Sequence, residues 1–424
     1  MHRLAALPGD PSEGDAVLVE QESLPALVLS SADSDLSLIS QRLSAAGHSP
    51  WMRGLNLSAL SHPAAIDHYL RSSLARTRLV IVRLLGGRGH WSYGLEQLRD
   101  WAMQSAERCL VVLGGTTDGA EELADLSSIP AQTALSLASC LRHGGPENVD
   151  AVLQWCQHWL AGRDQQTPEP QPQPDPLCFD WQADQGSVVG VIAYRALWSS
   201  GDTALLKQLA DSLRAAELCP RILLVSGLRD PALQQAVGDY FCSEAVEAVL
   251  CCTGFASVQA DRAGDGAPLW RRLGVPVVQL LISGGSKSRW QDSSVGLSQL
   301  DLAMQVALPE LDGRLMAQIG AFKEVAENDQ ALQCAIQRYQ PDPSAMAWSI
   351  ELVQRWIALR QTPVNDKRIA LVLANYPTRN ARLANGVGLD TPASAVAILR
   401  WLQEEGYWLG NCLLYTSPSP RDPE

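Results

Sequence analysis

Residues 367–407, KRIALVLANYPTRNARLANGVGLDTPASAVAILRWLQEEGY, predict the fold class of this chain. The stretch opens with residues 369–373, a continuous apolar run typical of a strand that is buried on both faces. A polar loop with two glycines follows. A helix is then predicted from Thr391, which can cap it, with Pro392 in its first turn and Gly406 at its end. A buried strand, a loop and a helix form the repeating unit of an α/β protein.

The polar loop of this unit is the first candidate binding site. It follows the carboxyl end of a predicted strand, where open α/β sheets bind ligands. Its donors and acceptors suit a ligand with amide and carboxylate groups, although hydrogen bonds that only stabilise the loop would use the same side chains. The candidate substrate-binding residues are Asn375, Arg379, Arg382, Asn385 and Asp390.

The order of strand, loop and helix also occurs earlier in the chain. Strands are predicted at residues 26–30, 79–84, 109–113, 188–194, 221–225, 248–252 and 275–282. Helices are predicted at residues 36–46, from about 95, and at 133–141, 149–160, 204–216, 316–324 and 344–359. Strands that alternate with helices are typical of a doubly wound sheet. The predicted fold is therefore α/β, with successive doubly wound, mainly parallel-sheet units joined by a Pro-rich linker.

Composition divides the chain into five segments. Proline occupies every second position from Pro168 to Pro176, which favours an extended polyproline conformation. Residues 412–422, CLLYTSPSPRD, resemble a translated sequencing adapter, so we expect a foreign, unstructured tail. The predicted segments are an amino-terminal α/β domain at 1–163, the linker at 164–177, a second α/β domain at 178–365, the start of a third, truncated α/β unit at 366–411, and the tail at 412–424.

Composition also excludes several functional classes. The 33 Lys and Arg against 46 Asp and Glu give a net charge of -13, which argues against a nucleic-acid or anionic-lipid surface. The longest apolar runs are far shorter than the roughly 20 residues that a membrane span needs. No signal peptide is visible, and the ten scattered cysteines contain no CxxC pair. These features predict a cytoplasmic protein with reduced thiols.

Histidines are confined to the first part of the chain. The seven are His2, His48, His62, His68, His90, His143 and His158. A histidine-based metal site or catalytic triad after residue 158 is therefore excluded. Glu310 and Asp312 are instead candidate oxygen ligands for a metal, and the neighbouring Arg314 is a candidate partner for a substrate carboxylate. The alternative is an internal arginine–carboxylate pair that fixes a turn, which Asp301 is expected to join.

Three further loops follow predicted strands. In residues 86–94, GGRGHWSYG, Trp91 can stack on a flat macrocycle, or the aromatic side chains can simply pack the domain. Residues 282–288, ISGGSKS, do not form a nucleotide-binding P-loop, because Ser286 stands where that motif requires glycine before Lys287. Residues 253–255 form a similar turn, for which a purely structural role is also open.

Several segments carry a resemblance to a known family. They are residues 84–102, 126–134, 144–149, 190–220, 249–257 and 296–314, together with the stretch at 367–407. In this order, to about residue 411, they resemble the large subunits of aerobic cobaltochelatase and magnesium chelatase. The pattern ANYP…GVGLDTPAS favours the cobalt branch.

The resemblance implies a function. It implies ATP-dependent insertion of Co²⁺ into a corrinoid, hydrogenobyrinic acid a,c-diamide, in cobalamin biosynthesis. The chain would belong to the tetrapyrrole-binding large subunit, with Co²⁺ as substrate and ATP hydrolysed by an AAA+ motor subunit that works with an accessory subunit. Large subunits of this family are much longer, so we expect an amino-terminal fragment that is inactive alone. The alternatives are a non-catalytic docking head, or a magnesium chelatase subunit acting on protoporphyrin.

Overall fold

The computed structural model describes residues 18–47, 49–117, 119–182, 185–258, 267–373 and 388–410, except for the side chains of 326–328. The chain divides into two compact units, residues 1–350 and 351–424. The first unit contains two sheets flanked by helices, which confirms the predicted α/β class. Seven of the nine cysteines in the described ranges are buried. No helix in these ranges is long and apolar enough to cross a membrane.

The first sheet has four parallel strands in the order β2-β1-β3-β4. The strands are β1 (Ala26–Ser30), β2 (Met52–Asn56), β3 (Leu79–Leu84) and β4 (Cys109–Gly114). Helices α1 (Asp33–Ala45), α2 (Pro63–Ser73), α3 (Ser92–Met103), α4 (Ala120–Ala124), α5 (Ala131–His143) and α6 (Pro146–Leu160) accompany it. Strands β1, β3 and β4 are buried at every residue, as their continuous apolar runs predict.

The second sheet has seven strands in the order β11-β10-β9-β8-β6-β7-β5. They are β5 (Leu177–Phe179), β6 (Ser187–Tyr194), β7 (Leu218–Val225), β8 (Ala248–Cys251), β9 (Val277–Ser283), β10 (Leu315–Asp329) and β11 (Cys334–Pro341). Strands β6 to β10 are parallel, and the two outer strands are antiparallel. The chain order reverses between β6 and β8, which makes this the switch point where open α/β sheets bind ligands.

The helices of the second sheet follow its strands along the chain. They are α7 (Arg195–Ser199), α8 (Ala204–Ala215), α9 (Pro231–Ser243), α10 (Pro268–Leu273), α11 (Lys287–Asp292), α12 (Gln299–Asp301), α13 (Leu308–Glu310) and α14 (Pro343–Gln361). A π-helical turn, Leu302–Ala307, joins α12 to α13. Helices α8 and α14 confirm the predictions at 204–216 and 344–359.

The β10–β11 hairpin replaces the helix predicted at residues 316–324, so that prediction is wrong. The segment is rich in good helix formers, but β10 pairs with β9 on one side and β11 on the other. Two ladders of backbone hydrogen bonds outweigh a helix preference that amounts to only tenths of a kcal/mol per residue.

The tip of this hairpin packs against the first sheet. Leu332, Cys334 and Ile336 are buried in the same apolar core as strands β1 to β4. The side-chain amide of Gln21 donates to the carbonyls of Leu332 at 3.2 Å and Gln333 at 2.7 Å. The Gly54 amide donates to the Leu332 carbonyl at 3.1 Å. The hairpin therefore ties the two sheets together.

The Pro-rich segment is hydrogen-bonded at several points. Asn148 and Gln171 exchange two hydrogen bonds of 2.9 Å, one in each direction. Arg195 donates to the carbonyls of Gln173 and Pro174 at 3.1 and 2.9 Å. The boundaries at 163 and 178 stay a prediction, and the residues on both sides of them belong to the same compact unit.

Limited proteolysis is expected to cut first within residues 164–176, because this stretch is mostly exposed and carries no regular secondary structure. The two pieces should nevertheless co-elute on a native sizing column, because the hairpin tip stays in the first core. They should separate in denaturant. A first cut elsewhere would contradict the boundary, and pieces that part on the native column would contradict the role of the hairpin.

The second unit corrects the prediction for the opening stretch. Residues 369–373 do not form a strand, and Ile369, Leu371, Val372 and Leu373 are at least 43% exposed. A parallel strand requires partner strands for its hydrogen bonds, and no ladder partner for this run occurs among the described residues of 351–424. The following helix, α15 (Thr391–Glu404), is confirmed, but its cap is Asp390, whose carboxylate accepts from the Ala393 amide.

Candidate functional site

The switch-point edge is the carboxyl end of β6, β7, β8 and β9, comprising Tyr194 and residues 226–229, 253–257 and 283–286. The Tyr194 hydroxyl links the end of β6 to the loop after β8 by donating to the Gly254 carbonyl at 3.0 Å. Burial raises the pKa of Tyr194 to about 12, so the phenol remains a hydrogen-bond donor well into the alkaline range.

A helical cover, residues 299–310, lies across the ends of β8 and β9. The Phe255 amide donates to the Met304 carbonyl at 2.8 Å. The Asp301 carboxylate accepts from the Gly284 amide at 3.1 Å and from the Ser283 hydroxyl at 3.2 Å. Gly254 allows this close approach, because a Cβ there would lie 3.0 Å from the Met304 carbonyl oxygen.

The helical cover turns apolar side chains outward. Leu300 and Leu302 are 50% and 51% exposed, and neither α12 nor the π-helical turn has a buried residue. Single exposed leucines are ordinary, but two in three residues of an element anchored at a switch point make this element a candidate contact surface for an apolar ligand or for another protein.

Arg229, which is exposed, and Phe255, which is half-buried, lie in contact at the switch-point edge. The guanidinium carbon of Arg229 lies 5.3 Å from the centroid of the Phe255 ring. Phe255 has φ of 64°, a left-handed conformation that is rare for a bulky residue. Sequence patterns single out the 253–255 turn but not Arg229, although its place just after a strand could have pointed to it.

The buried pair of Arg314 and Asp312 lies beneath this edge. Both side chains are 0% exposed, with Arg314 Nη2 2.6 Å from Asp312 Oδ2. Arg314 also donates to the Thr253 and Phe255 carbonyls at 2.9 and 3.1 Å, and to Gln279 at 2.9 Å. Its guanidinium carbon lies 5.5 Å from the Trp270 ring centroid. Arg314 thus stabilises the 253–255 turn from below through these hydrogen bonds.

Asp312 is correspondingly a structural carboxylate. Its oxygens accept from the Ser257 amide at 2.8 Å and the Val258 amide at 3.3 Å, as well as from Arg314. These geometries support the internal arginine–carboxylate pair, the alternative to metal and substrate binding by Asp312 and Arg314. Because the Asp312 carboxylate is buried and already accepts these hydrogen bonds, a metal ion could not reach it without displacing them.

The other members of the proposed carboxylate cluster lie apart from that pair. Glu310 is exposed at the end of the helical cover. Asp301 bonds to the end of β9 instead of joining Asp312 and Arg314, so that expectation is wrong. Within the described ranges no group of three or more His, Cys, Asp or Glu side chains could hold a metal ion.

Trp91 packs inside the first sheet's core. Its side chain is buried, and its indole N–H donates to the Leu60 carbonyl at 2.9 Å. Gly94 lies against the ring, where a Cβ would come within 2.2 Å of the indole. The structure therefore supports the packing alternative for Trp91 over macrocycle stacking.

The loop after β9 is held by an ion pair. Lys287 Nζ lies 2.7 Å from Asp342 Oδ2, and Ser286 caps α11 by accepting from the Arg289 amide. Asp342 in turn accepts from the Ser344 and Ala345 amides at the start of α14. These contacts give the loop a structural role, in agreement with its departure from the P-loop pattern.

Lys287→Met is expected to make stability less sensitive to acid. Lys287, with help from Ser344, holds the pKa of the Asp342 carboxyl well below its usual range. A carboxyl whose pKa falls on folding stabilises the fold above its unfolded pKa of about 4, and this contribution is lost as the pH drops further. Because Lys287 is half exposed, we expect a difference of about 0.5–1 kcal/mol between variant and wild type at pH 7 that shrinks by pH 2.

Denaturant titrations at pH 7, 4 and 2 measure this difference, with Lys207→Met as a control that removes an exposed lysine on α8. A Lys287→Met deficit that stayed constant across this range would show that the ion pair is not its source.

The loop residues of the opening stretch lie mostly beyond what the structure describes. Asn375, Arg379, Arg382 and Asn385 are outside the described residues, so their predicted roles stay predictions. Asp390 is described and caps α15, which accounts for one of its oxygens by a 3.0 Å bond to the Ala393 amide.

The two sheets define an α/β protein whose second sheet has a topological switch point, and comparison with known proteins identifies its family. A family model described as CobN/Magnesium Chelatase matches residues 138–421. The chain therefore belongs to the CobN/magnesium chelatase family. This bears out the resemblance that the sequence motifs carry.

Individual relatives agree with this assignment. The chain is 35% identical to the aerobic cobaltochelatase subunit CobN of Pseudomonas aeruginosa, over 96% of this chain and 33% of that protein. It is 24% identical to the chloroplastic magnesium-chelatase protein ChlH of Oryza sativa, over 52% of this chain and 16% of that protein. A solved structure, the catalytic subunit of cobaltochelatase from Mycobacterium tuberculosis, matches with a TM-score of 0.70 and 28% identity, over 91% of this chain and 31% of that one. The chain thus spans about a third of the length of its cobaltochelatase relatives.

Proposed function

We propose that this chain is part of the large subunit of a cytoplasmic cobaltochelatase and contributes to binding its tetrapyrrole. The substrate would be hydrogenobyrinic acid a,c-diamide, with Co²⁺ as the inserted metal and ATP hydrolysed by an AAA+ motor subunit assisted by an accessory subunit. The observation that carries the proposal is the match to an aerobic cobaltochelatase subunit over 96% of the chain.

The switch-point edge supports a role in substrate binding. It combines an exposed cation, Arg229, with the ring of Phe255 and the outward leucines of the helical cover. A corrinoid presents the complementary chemistry, a largely apolar ring system with carboxylate and amide arms. Removal of the pyrrole-type protons and delivery of the metal would need bases and ligands that this edge does not supply among its described residues.

A spectroscopic titration of the intact chain tests the proposal. Hydrogenobyrinic acid a,c-diamide should show a saturable change in its visible absorption when the chain is added. Protoporphyrin IX, the substrate type of the magnesium branch, should bind more weakly. No spectral change with either compound would contradict substrate binding by this part of the subunit, and preference for protoporphyrin IX would favour the magnesium branch.

A docking head is the second candidate function. The exposed leucines at positions 300 and 302 favour it, because they offer a surface that another protein could cover. Pull-down of the motor subunit by the intact chain, with no spectral effect on the corrinoid, would favour docking. Leu302→Glu should then abolish capture, whereas Leu359→Glu, on α14, should not.

The loop at 375–390 is proposed to contact substrate carboxylates in the full-length subunit. Arg382→Ala should weaken corrinoid binding by roughly 1.5–3 kcal/mol, the value of one charge-assisted hydrogen bond. Arg400→Ala, which removes an exposed charge from α15, is the matched control. Unchanged affinity with a lowered Tm would show that Arg382 stabilises the loop and that the substrate lies elsewhere.

A further inference from the structure

We propose that Arg229 binds a carboxylate arm of the tetrapyrrole at the switch-point edge, and that Phe255 holds its guanidinium in place. This inference rests on the proposed function and names one specificity-determining residue for it. It differs from the roles predicted for the 375–390 loop, because it lies on the second sheet and concerns other residues.

The position of Arg229 is the first argument. It follows β7, which is parallel to β6, so its loop emerges at the same edge as Tyr194. The next residue, Asp230, caps α9 by accepting from the Ala232 amide at 2.8 Å. This cap fixes the backbone on one side of Arg229, while its side chain stays exposed.

The lack of an internal partner is the second argument. No carboxylate in the described part of the chain lies within ion-pair distance of Arg229, whereas Arg214, Arg221 and Arg272 on the same sheet's elements each have one. Arg229 is thus an exposed cation at a switch point with no carboxylate partner among the described residues, which is the arrangement that a carboxylate-binding arginine requires.

The rigidity of Phe255 is the third argument. Its left-handed backbone is held from both sides, since its amide donates to Met304 and its carbonyl accepts from buried Arg314. Strained conformations of this kind persist where the surrounding structure fixes them, and they concentrate at functional sites. The backbone that carries the ring is therefore fixed, and the guanidinium carbon of Arg229, 5.3 Å from the ring centroid, is oriented by a cation–π contact.

The chemistry of the neighbouring groups selects the ligand class. An arginine fork binds a carboxylate through two parallel hydrogen bonds, which an ester cannot reproduce with equal strength. The aromatic ring and the helical cover beside it offer apolar contact. Arg229, the Phe255 ring and the helical cover together suit a ligand that has an apolar ring system and a carboxylate side chain. A corrinoid with free carboxylates is such a ligand.

The test compares two forms of one ligand. Hydrogenobyrinic acid a,c-diamide and the same compound with its carboxylates methylated are titrated against the intact chain by visible absorption. For the acid, Arg229→Ala and Arg229→Gln should weaken binding at least tenfold, while Arg229→Lys should retain part of it. For the ester, all three variants should match the wild type. Arg271→Ala, which removes another exposed arginine from the same sheet's helix α10, should change neither affinity.

The outcomes separate this inference from the proposed function. If the wild type binds the acid and Arg229→Ala binds it equally well, the role of Arg229 is refuted while substrate binding stands. If both ligands weaken together in Arg229→Ala and Arg229→Gln, the residue acts through the fold and the carboxylate contact is refuted. If the wild type binds neither compound, the proposed function itself fails and this inference falls with it.

Discussion

Arg314→Leu is expected to lower the free energy of unfolding by about 3–5 kcal/mol, the usual effect of removing one partner from a buried ion pair. The variant leaves the Asp312 carboxylate without its cation in a site where the side chain has no exposure. It also leaves the Thr253 carbonyl and the Gln279 side chain without the donor at 2.9 Å that each now has. Denaturant unfolding followed by tryptophan fluorescence measures the change.

An exposed ion pair provides the control. Arg355 and Glu351 are 78% and 61% exposed, so Arg355→Leu should cost less than about 0.5 kcal/mol. If Arg314→Leu lowered the free energy of unfolding by less than about 1 kcal/mol, the stabilising role of Arg314 would be contradicted, because an uncompensated buried carboxylate is strongly destabilising. The corrinoid binding proposed for this edge should also weaken in Arg314→Leu, since the 253–255 turn would lose the donors to the Thr253 and Phe255 carbonyls.

Arg83→Met is expected to cost a similar amount, about 3–5 kcal/mol, in the first sheet. Arg83 at the end of β3 is 0% exposed and hydrogen-bonds to Asp35 in the first turn of α1, which is itself only 6% exposed. Ser30 donates to the other oxygen of Asp35 at 2.7 Å. Methionine fills much of the same space but removes the cation that faces the buried Asp35 carboxylate.

Arg83→Lys distinguishes charge from volume at this position. It keeps a cation but not the planar fork, so it should lose less stability than Arg83→Met. Equal losses in the two variants would show that packing of the arginine, and not its charge, sustains the pair.

Buried parallel strands are the part of the fold that the sequence predicts well. The runs at 26–30 and 79–84 coincide with β1 and β3 at both ends. Such strands are apolar on both faces, so their composition differs sharply from the polar loops that follow. Strand β2 escapes prediction because Arg53 and Gly54 interrupt its apolar pattern, although its first four residues are all buried.

Segments whose structure depends on distant partners are predicted poorly. Strand β11 has a readable alternation, with Cys334 and Ile336 buried and Ala335 and Gln337 exposed, but β10 reads as a helix until its neighbours are known. The run at 369–373 is predicted to be a strand but does not form one. An apolar run becomes a buried strand only where other strands are present to pair with it.

The candidate site was predictable in outline only. A switch point follows from strand order, which local sequence does not contain, so Tyr194 and Arg229 could not be placed at one edge beforehand. Asp312 and Arg314 show a second limit of sequence-based prediction. Two charged residues close together in sequence suggest a reactive site, and only the structure shows that they form a buried ion pair with each other.

The hairpin that joins the sheets also constrains the order of folding. Gln21 bonds to Gln333 across 312 positions of sequence, and Leu332 completes a core whose other strands end at residue 114. During synthesis the first four strands therefore leave the ribosome well before the residues that close their core are made. Contacts of such long range slow folding and leave apolar surface open in the meantime. The nascent amino-terminal sheet is accordingly expected to be a chaperone client until residue 336 has emerged.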